Sequence, residues 1–522
     1  MSVRPIVRRG VLGVVLAAVA CLPLIAQSRQ TFRTATRLVE VSVVVTDRLG
    51  APVTGLTKAE FSLEEDGQAQ AISFFEVRDD RAAPPSLAPS RGPEPAPNTF
   101  SNVLPPGPGT ATVILLDRLN AGFDSQWFAR KHIEQYLGEM RPGDRVALYV
   151  LDGTVRVLHD FSTSASSLRR ALEIYQARVS GHYDASMEPP PDMGGIASWL
   201  VDPALSSSDF FQQRRSVDTF KALEELAQHL AGIGGRKSIV WLSEVFPLSA
   251  GMGRQEVLER MRHATRALSH AQASLYPVDA RGLVGAMSYR GGRASFNSLG
   301  MIRGNIDTME IVAEETGGRA FANSNALAAS IRRAVNDSRH TYVLGYYPSS
   351  TPLDGRFRKI AVHVARRGVK VRHRAGYLAA PSPGQDARSR DTAMRAALQS
   401  PLQTTGVGLS AGVTRAGDDL TLSIRLDLAT LTLERDGVRW RGAADVVIAQ
   451  VLPSGKGQIT AAFPVALSLT DDERNRAGSA PLTIERTITL QPKMHHLRVV
   501  ARDVTTGSVG SVVIPVRAIT TQ

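Results

Sequence analysis

Acidic, amide and hydroxyl side chains stand at the ends of several apolar runs in this 522-residue chain. Thr110-Ala-Thr-Val-Ile-Leu-Leu runs into Asp117 and then Asn120, Arg145-Val-Ala-Leu-Tyr-Val-Leu into Asp152-Gly153-Thr154, and Lys237-Ser-Ile-Val-Trp-Leu into Ser243-Glu244. A fourth run, Ala273-Ser-Leu-Tyr-Pro-Val, ends in Asp279. Polar groups converging from several strand ends can share one hard divalent cation or meet one partner carboxylate. Asp117 is the first candidate ligand, with Asn120 and Glu244 as further oxygen donors. Each has a structural alternative. An aspartate after a strand also accepts bonds from the amides of its own turn, and in Asp152-Gly153-Thr154 a turn accounts for all three residues.

The elements that must position these groups are legible as period and punctuation. Unbroken apolar runs of this length predict parallel strands buried on both faces. Between them lie helical patterns over Trp127 to Met140, Ser166 to Val179, Ser216 to Leu230 and Arg254 to Ala273, with Ala326 to Asn336 after the last strand; the first stops at Arg141-Pro142-Gly143. The alternation over residues 110–380 predicts an α/β domain with a doubly wound, mostly parallel sheet, whose ligands bind outside the carboxyl ends of the strands. Residues 180–208 form an insertion at that rim. Ahead of this domain, residues 31–80 read as a small β module and residues 81–109, rich in Pro, Ala, Gly and Ser, as an extended linker. A second linker covers 381–392. Residues 393–522 carry short strands at near-regular spacing, the pattern of an immunoglobulin-like β-sandwich. Two strands at Arg339 to Tyr347 and Phe357 to Arg374 read as a hairpin with a basic face of Lys359, Lys370, Arg372 and Arg374. That face is either solvated or suited to acidic envelope glycans and lipid headgroups.

Composition bounds the rest. With 43% hydrophobic and 21% charged residues the chain is ordinary globular protein of several domains, and its formal net charge is +12. Residues 1–26 have the layout of a signal peptide: Arg4, Arg8 and Arg9, an apolar stretch from Gly10, and Leu22-Pro-Leu-Ile-Ala26 before Gln27-Ser28. Cleavage after Ala26 removes the single cysteine, Cys21, and with it any disulfide or thiolate site; lipidation at Cys21 is the alternative. No later segment has the length of a membrane helix, so the mature chain is expected in the periplasm, at the cell surface or secreted.

Several ordered motifs resemble a known family. The strand with Asp117, Asp144-Arg-Val-Ala-Leu-Tyr-Val150, Gly235-Arg-Lys-Ser-Ile-Val-Trp-Leu-Ser243 and Tyr276-Pro-Val-Asp-Ala-Arg-Gly282 are similar to a von Willebrand factor A domain. Ile311-Val-Ala-Glu-Glu-Thr-Gly-Gly-Arg-Ala-Phe321, Tyr342-Val-Leu-Gly-Tyr-Tyr-Pro348 and Val369-Lys-Val-Arg-His-Arg-Ala-Gly-Tyr377 extend the likeness to the VWFA-related proteins of acidobacterial type, over roughly residues 31 to 380. The resemblance implies a cation site of Asp-x-Ser-x-Ser type at the first strand end, occupied by Mg²⁺ or Mn²⁺. Here Asp117 matches, but Leu119 and Ala121 replace both serines, and Ser243-Glu244 replaces Thr-Asp. A degenerate site at Asp117, Asn120 and Glu244 is the expectation, beside a purely structural Asp117.

No Gly-x-Ser-x-Gly, His-Glu-x-x-His or Walker-type motif occurs. Ser243 follows a strand without the glycines of a nucleophile elbow, and His263 and His270 are poor candidates for its base. His495-His496, on opposite faces of a strand, is a poor chelating pair. Nucleic-acid binding is not expected of an exported chain with no such motif. The leading expectation is an exported, non-enzymatic protein-interaction or adhesion-type protein with a protein partner. An envelope hydrolase using Ser243 or Asp117 and a purely structural envelope scaffold are the alternatives.

Overall fold

A computed structural model describes residues 38–79, 98–103, 111–141, 143–175, 207–245, 254–281, 296–349, 354, 356–379, 387–477 and 481–520. The expected leader at 1–26, most of the 81–109 linker and the 180–208 insertion up to residue 206 lie outside the described residues.

Strands Ala111–Asp117, Arg145–Asp152, Thr154–Ser162, Lys237–Ser243 and Ala273–Asp279 form the central sheet. The Ala111–Asp117 strand lies at its centre, parallel to Lys237–Ser243 on one side and to Arg145–Asp152 on the other. Ala273–Asp279 adds a fourth parallel strand and Thr154–Ser162 an antiparallel edge. Helices cover both faces, which is why three of the parallel strands are buried end to end and the fourth all but its terminal residues. Alternate residues sort between two cores. Val113, Leu115, Tyr149, Ile239 and Trp241 face helices α3 (Ser207–Leu230), α4 (Arg254–His270) and α5 (Phe296–Thr316). Ile114, Leu116, Leu148, Val240 and Tyr276 face α1 (Phe123–Gly138), α2 (Ala165–Ile174) and α6 (Leu327–Arg339). The chain leaves the central strand toward Arg145–Asp152 and later returns to its other side at Lys237–Ser243. The topological switch point therefore falls between the ends that carry Asp117 and Ser243.

The 31–80 module and the expected hairpin are not separate units. Strand His340–Tyr346 inserts between Val39–Thr46 and Ile72–Asp79, and Arg356–Val364 pairs with Phe61–Glu65. Two four-stranded sheets result, packed around Val41, Val43, Leu63, Tyr342, Leu344 and Ile360. His340–Tyr346 and Arg356–Val364 belong to different sheets, so they make no hairpin. A three- or four-stranded sheet needs a second layer to bury its apolar face, and here that layer comes from the far end of the domain. Half of the basic face is correspondingly spent. Arg358 pairs with Asp354 and Asp66, Arg372 with Asp337, and Arg374 donates to the Glu40 carbonyl, which leaves Lys359 and Lys370 exposed.

Residues 409–515 build a second antiparallel sandwich. Six of its strands follow the expected spacing; Leu409–Ala416 and Glu434–Asp436 are additional, and so is Thr99–Ser101, inside the expected linker, which pairs with Leu409–Ala416. His495 precedes its strand and escapes the pleat, so that its Nδ1 lies 3.0 Å from that of His496 rather than on the opposite face.

This sandwich is latched to the end of α3. Thr405 Oγ1 donates to the His229 carbonyl and accepts from Gly232 N–H at 2.8 Å. His229 Nδ1 donates to the Gln403 carbonyl at 2.6 Å, so its Nε2 is free to accept from the Tyr149 hydroxyl at 2.8 Å. The ring is neutral in this arrangement, and burial holds its pKa below the ordinary histidine range against the pull of the Gln403 carbonyl and of Asp160. A depressed pKa gives stability that is complete above the unfolded value and declines as pH falls toward the folded one. Stability is therefore expected to fall below about pH 6.5, by up to ~1.4 kcal/mol per pH unit for this group. Denaturation midpoints at stepped pH check it: His229→Gln should flatten the slope, and an unchanged slope would assign the acid sensitivity to another histidine.

Candidate functional site

At the switch point, where sheets of this class place their ligand crevice, three elements meet: the turn after Ala111–Asp117, the end of Lys237–Ser243 and the N-terminal half of α3. Asp117 sits at its floor, 2% exposed. Its Oδ1 accepts from the backbone N–H of Leu119 at 3.0 Å and of Asn120 at 2.9 Å. Its Oδ2 accepts from Asn120 Nδ2 at 2.9 Å, Trp241 Nε1 at 3.0 Å and Ser243 Oγ at 2.7 Å. Burial pushes the carboxyl above the ordinary aspartate range, while the bonds from Asn120, Ser243 and Trp241 favour the anion and oppose that shift.

Asn120 reaches from Asp117 to α3. Its Nδ2 also donates to Thr219 Oγ1 at 2.9 Å, and Thr219 gives its own proton to the Arg215 carbonyl at 2.7 Å. A carboxylate accepts only, and the Thr219 hydroxyl has already used its one proton. The group between them must therefore be the amide NH₂, not the amide oxygen.

Glu244 serves elsewhere. Its Oε2 accepts from Gly122 N–H at 2.8 Å. Gly122 is the residue before α1 and has no side chain to cap it, so Glu244 supplies both an acceptor and a negative charge at the positive end of that helix. The remaining strand ends are likewise committed. Asp279 holds Arg281 through both carboxylate oxygens, and Asp152 lies 3.5 Å from Arg118.

Three residues expected to offer oxygens to Mg²⁺ or Mn²⁺ thus form no common donor set. Asp117 is saturated by protein donors, Asn120 presents nitrogen, and Glu244 is turned to a helix end. Among the described residues, no group of three or more His, Cys, Asp or Glu side chains is disposed to hold a metal ion. The residues present do not fit the ion. Ser243 is fully buried, its hydroxyl donating to Asp117 with the Val245 carbonyl 3.2 Å away.

Four contributors escaped the sequence reading. Trp241 reads as one more apolar residue in a run, yet a buried indole N–H needs an acceptor, and that requirement was the available signal. Phe123 and Trp127, one turn apart on α1, are 52% and 54% exposed beside the crevice, with Lys131 over the Trp127 ring. Val245, 41% exposed, joins this rim through its N–H to the Asn120 carbonyl.

No protein-family model matches the chain, and no curated protein does. Among solved structures it is similar to an aerotolerance-related membrane protein of Bacteroides fragilis, with 16% identity over 44% of this chain and 99% of that one, at a TM-score of 0.26. BatB of Bacteroides thetaiotaomicron gives 14% identity over 44% and 98%, at 0.26. A von Willebrand factor type A protein of Catenulispora acidiphila gives 9% identity over 88% and 74%, at 0.24. Similarities at such scores carry no argument, and the class of the domain rests on its own strand order and register: a doubly wound, mostly parallel α/β sheet.

Proposed function

We propose that the chain is an exported, non-enzymatic protein of the interaction or adhesion type, built on a von Willebrand factor A-like domain of the VWFA-related kind with a degenerate ion site. The exposed pair Phe123 and Trp127 carries this reading. Large aromatic side chains left half in water at the carboxyl end of a doubly wound sheet, where ligands bind, are suited to bury against a protein partner. The polar groups of the same crevice are turned inward on one another, which supports recognition by shape and apolar contact over catalysis. A hydrolase would need Ser243 accessible to substrate, whereas it is 0% exposed beneath the strand-end turn. Export rests on the leader pattern at residues 1–26, and among the described residues no helix is long and apolar enough to cross a membrane.

The reading is tested with the immobilised full chain and an envelope extract. A protein cross-linked by the wild type should be lost from the Phe123→Ser/Trp127→Ser double variant, whose melting temperature stays unchanged because both side chains are on the surface. Equal capture by both, or none by either, would overturn it.

A further inference from the structure

We infer that the Asn120 carboxamide is a built-in substitute for a divalent cation, holding the crevice in one conformation whether or not ions are present. A carboxylate at the end of the central strand and a hydroxyl on α3 face the same point from opposite sides. What stands between them is a nitrogen with two protons, 2.9 Å from Asp117 Oδ2 and 2.9 Å from Thr219 Oγ1. A cation would sit closer to those oxygens, at about 2.0–2.1 Å for Mg²⁺ or roughly 2.3–2.6 Å for Ca²⁺. The amide makes the same cross-strut with hydrogen bonds and leaves no room for the ion. Both bonds are sealed from water: Asp117 is 2% exposed, Asn120 6% and Thr219 0%.

The charge is balanced to match. A cation would offset the Asp117 carboxylate directly, whereas a neutral amide cannot. In its place five protein donors converge on the two oxygens, three of them additional to Asn120: Leu119 N–H, Trp241 Nε1 and Ser243 Oγ. The Leu119 and Ala121 side chains, where hydroxyl ligands are expected from the resemblance, are buried apolar groups at 2% and 8% exposure. They add to the exclusion of water and supply no further oxygen. The strut joins the strand end to α3 permanently, so the crevice is set by the fold. This inference stands apart from whether a protein docks at the rim, and its test contains no partner.

Asn120→Asp keeps the shape and turns the strut into a second buried carboxylate aimed at Asp117. Melting curves of the full-length wild type should coincide in chelator, Mg²⁺, Mn²⁺ and Ca²⁺, and calorimetric titration with Mn²⁺ should give no saturable heat. The variant should melt lower in chelator and recover as Mn²⁺ is raised, with a saturable Mn²⁺ binding heat that the wild type lacks. Saturable Mg²⁺ or Mn²⁺ binding by the wild type that disappears in Asp117→Ala would overturn the inference. So would a folded Asn120→Asp variant indifferent to all three ions. If Asn120→Asp does not fold even with Mn²⁺, Asn120→Ser, which vacates the same point and leaves a hydroxyl, is read by the same two outcomes.

Discussion

Asp117→Ala is expected to lower the free energy of unfolding by about 3–4 kcal/mol, a large share of a typical domain's stability. The loss comes from what the carboxylate leaves behind. Two backbone amides, an asparagine amide, an indole N–H and a serine hydroxyl all lose an acceptor in a place with almost no access to water. Each unsatisfied donor costs about 1–3 kcal/mol when isolated, and a water entering the vacated volume recovers part of the total. Asp117→Asn should fall between the wild type and the alanine variant. Its one amide oxygen can serve some donors, but its NH₂ must turn toward others. Urea titrations with unchanged slope would report the shift in midpoint. A near-neutral Asp117→Ala would mean that the crevice is not organised by this residue, and the cation-substitute reading of Asn120 would lose its anchor as well.

How much of this was legible follows from how each feature is encoded. The central sheet is written locally: each parallel strand is an apolar run bounded by polar residues, and strand Ala273–Asp279 has the bounds its residues predict. The α5 helix is not written so clearly, since Gly300 and Gly304 interrupt Phe296–Thr316 and its apolar residues do not form one stripe. Pairing across hundreds of residues is written nowhere in a single sequence, so the two halves of the first sandwich, Val39–Thr46 and His340–Tyr346, read as unrelated elements. Thr99–Ser101 was hidden by the proline-rich residues around it. At the site, residue type pointed to Asp117 and Asn120. The contacts of the amide, with the Asp117 carboxylate and with a Thr219 hydroxyl whose proton goes to the Arg215 carbonyl, determine that Asn120 offers nitrogen rather than oxygen.

Gly318→Ala is expected to be strongly damaging to the α/β domain, costing more than about 3 kcal/mol and threatening folding altogether. Helix α5 ends at Thr316 in a Schellman turn: Gly317, at φ 75°, donates to the Glu314 carbonyl, and Gly318 donates to the Ala313 carbonyl at 2.7 Å. That turn presses Gly318 against the buried strand Ala273–Asp279. A Cβ there would lie 1.9 Å from the Leu275 carbonyl oxygen, and the strand cannot retreat, because its neighbour Lys237–Ser243 is hydrogen-bonded along its full length. Neighbouring bonds depend on the same contact. Thr316 Oγ1 accepts from Leu275 N–H, Ser274 Oγ donates to the Thr316 carbonyl, and Arg236 donates to the Gly317 carbonyl at 2.5 Å. Gly304, exposed on the same helix with nothing within 4 Å of a built Cβ, supplies the opposing control. Gly304→Ala should stabilise by about 0.5–1 kcal/mol through helix propensity alone. Opposite signs for two glycine-to-alanine changes in one segment, read as denaturation midpoints, would assign the Gly318 effect to close packing. A mild loss at Gly318 would mean that α5 can slide on the sheet, and that the Thr-Gly-Gly turn does not fix it.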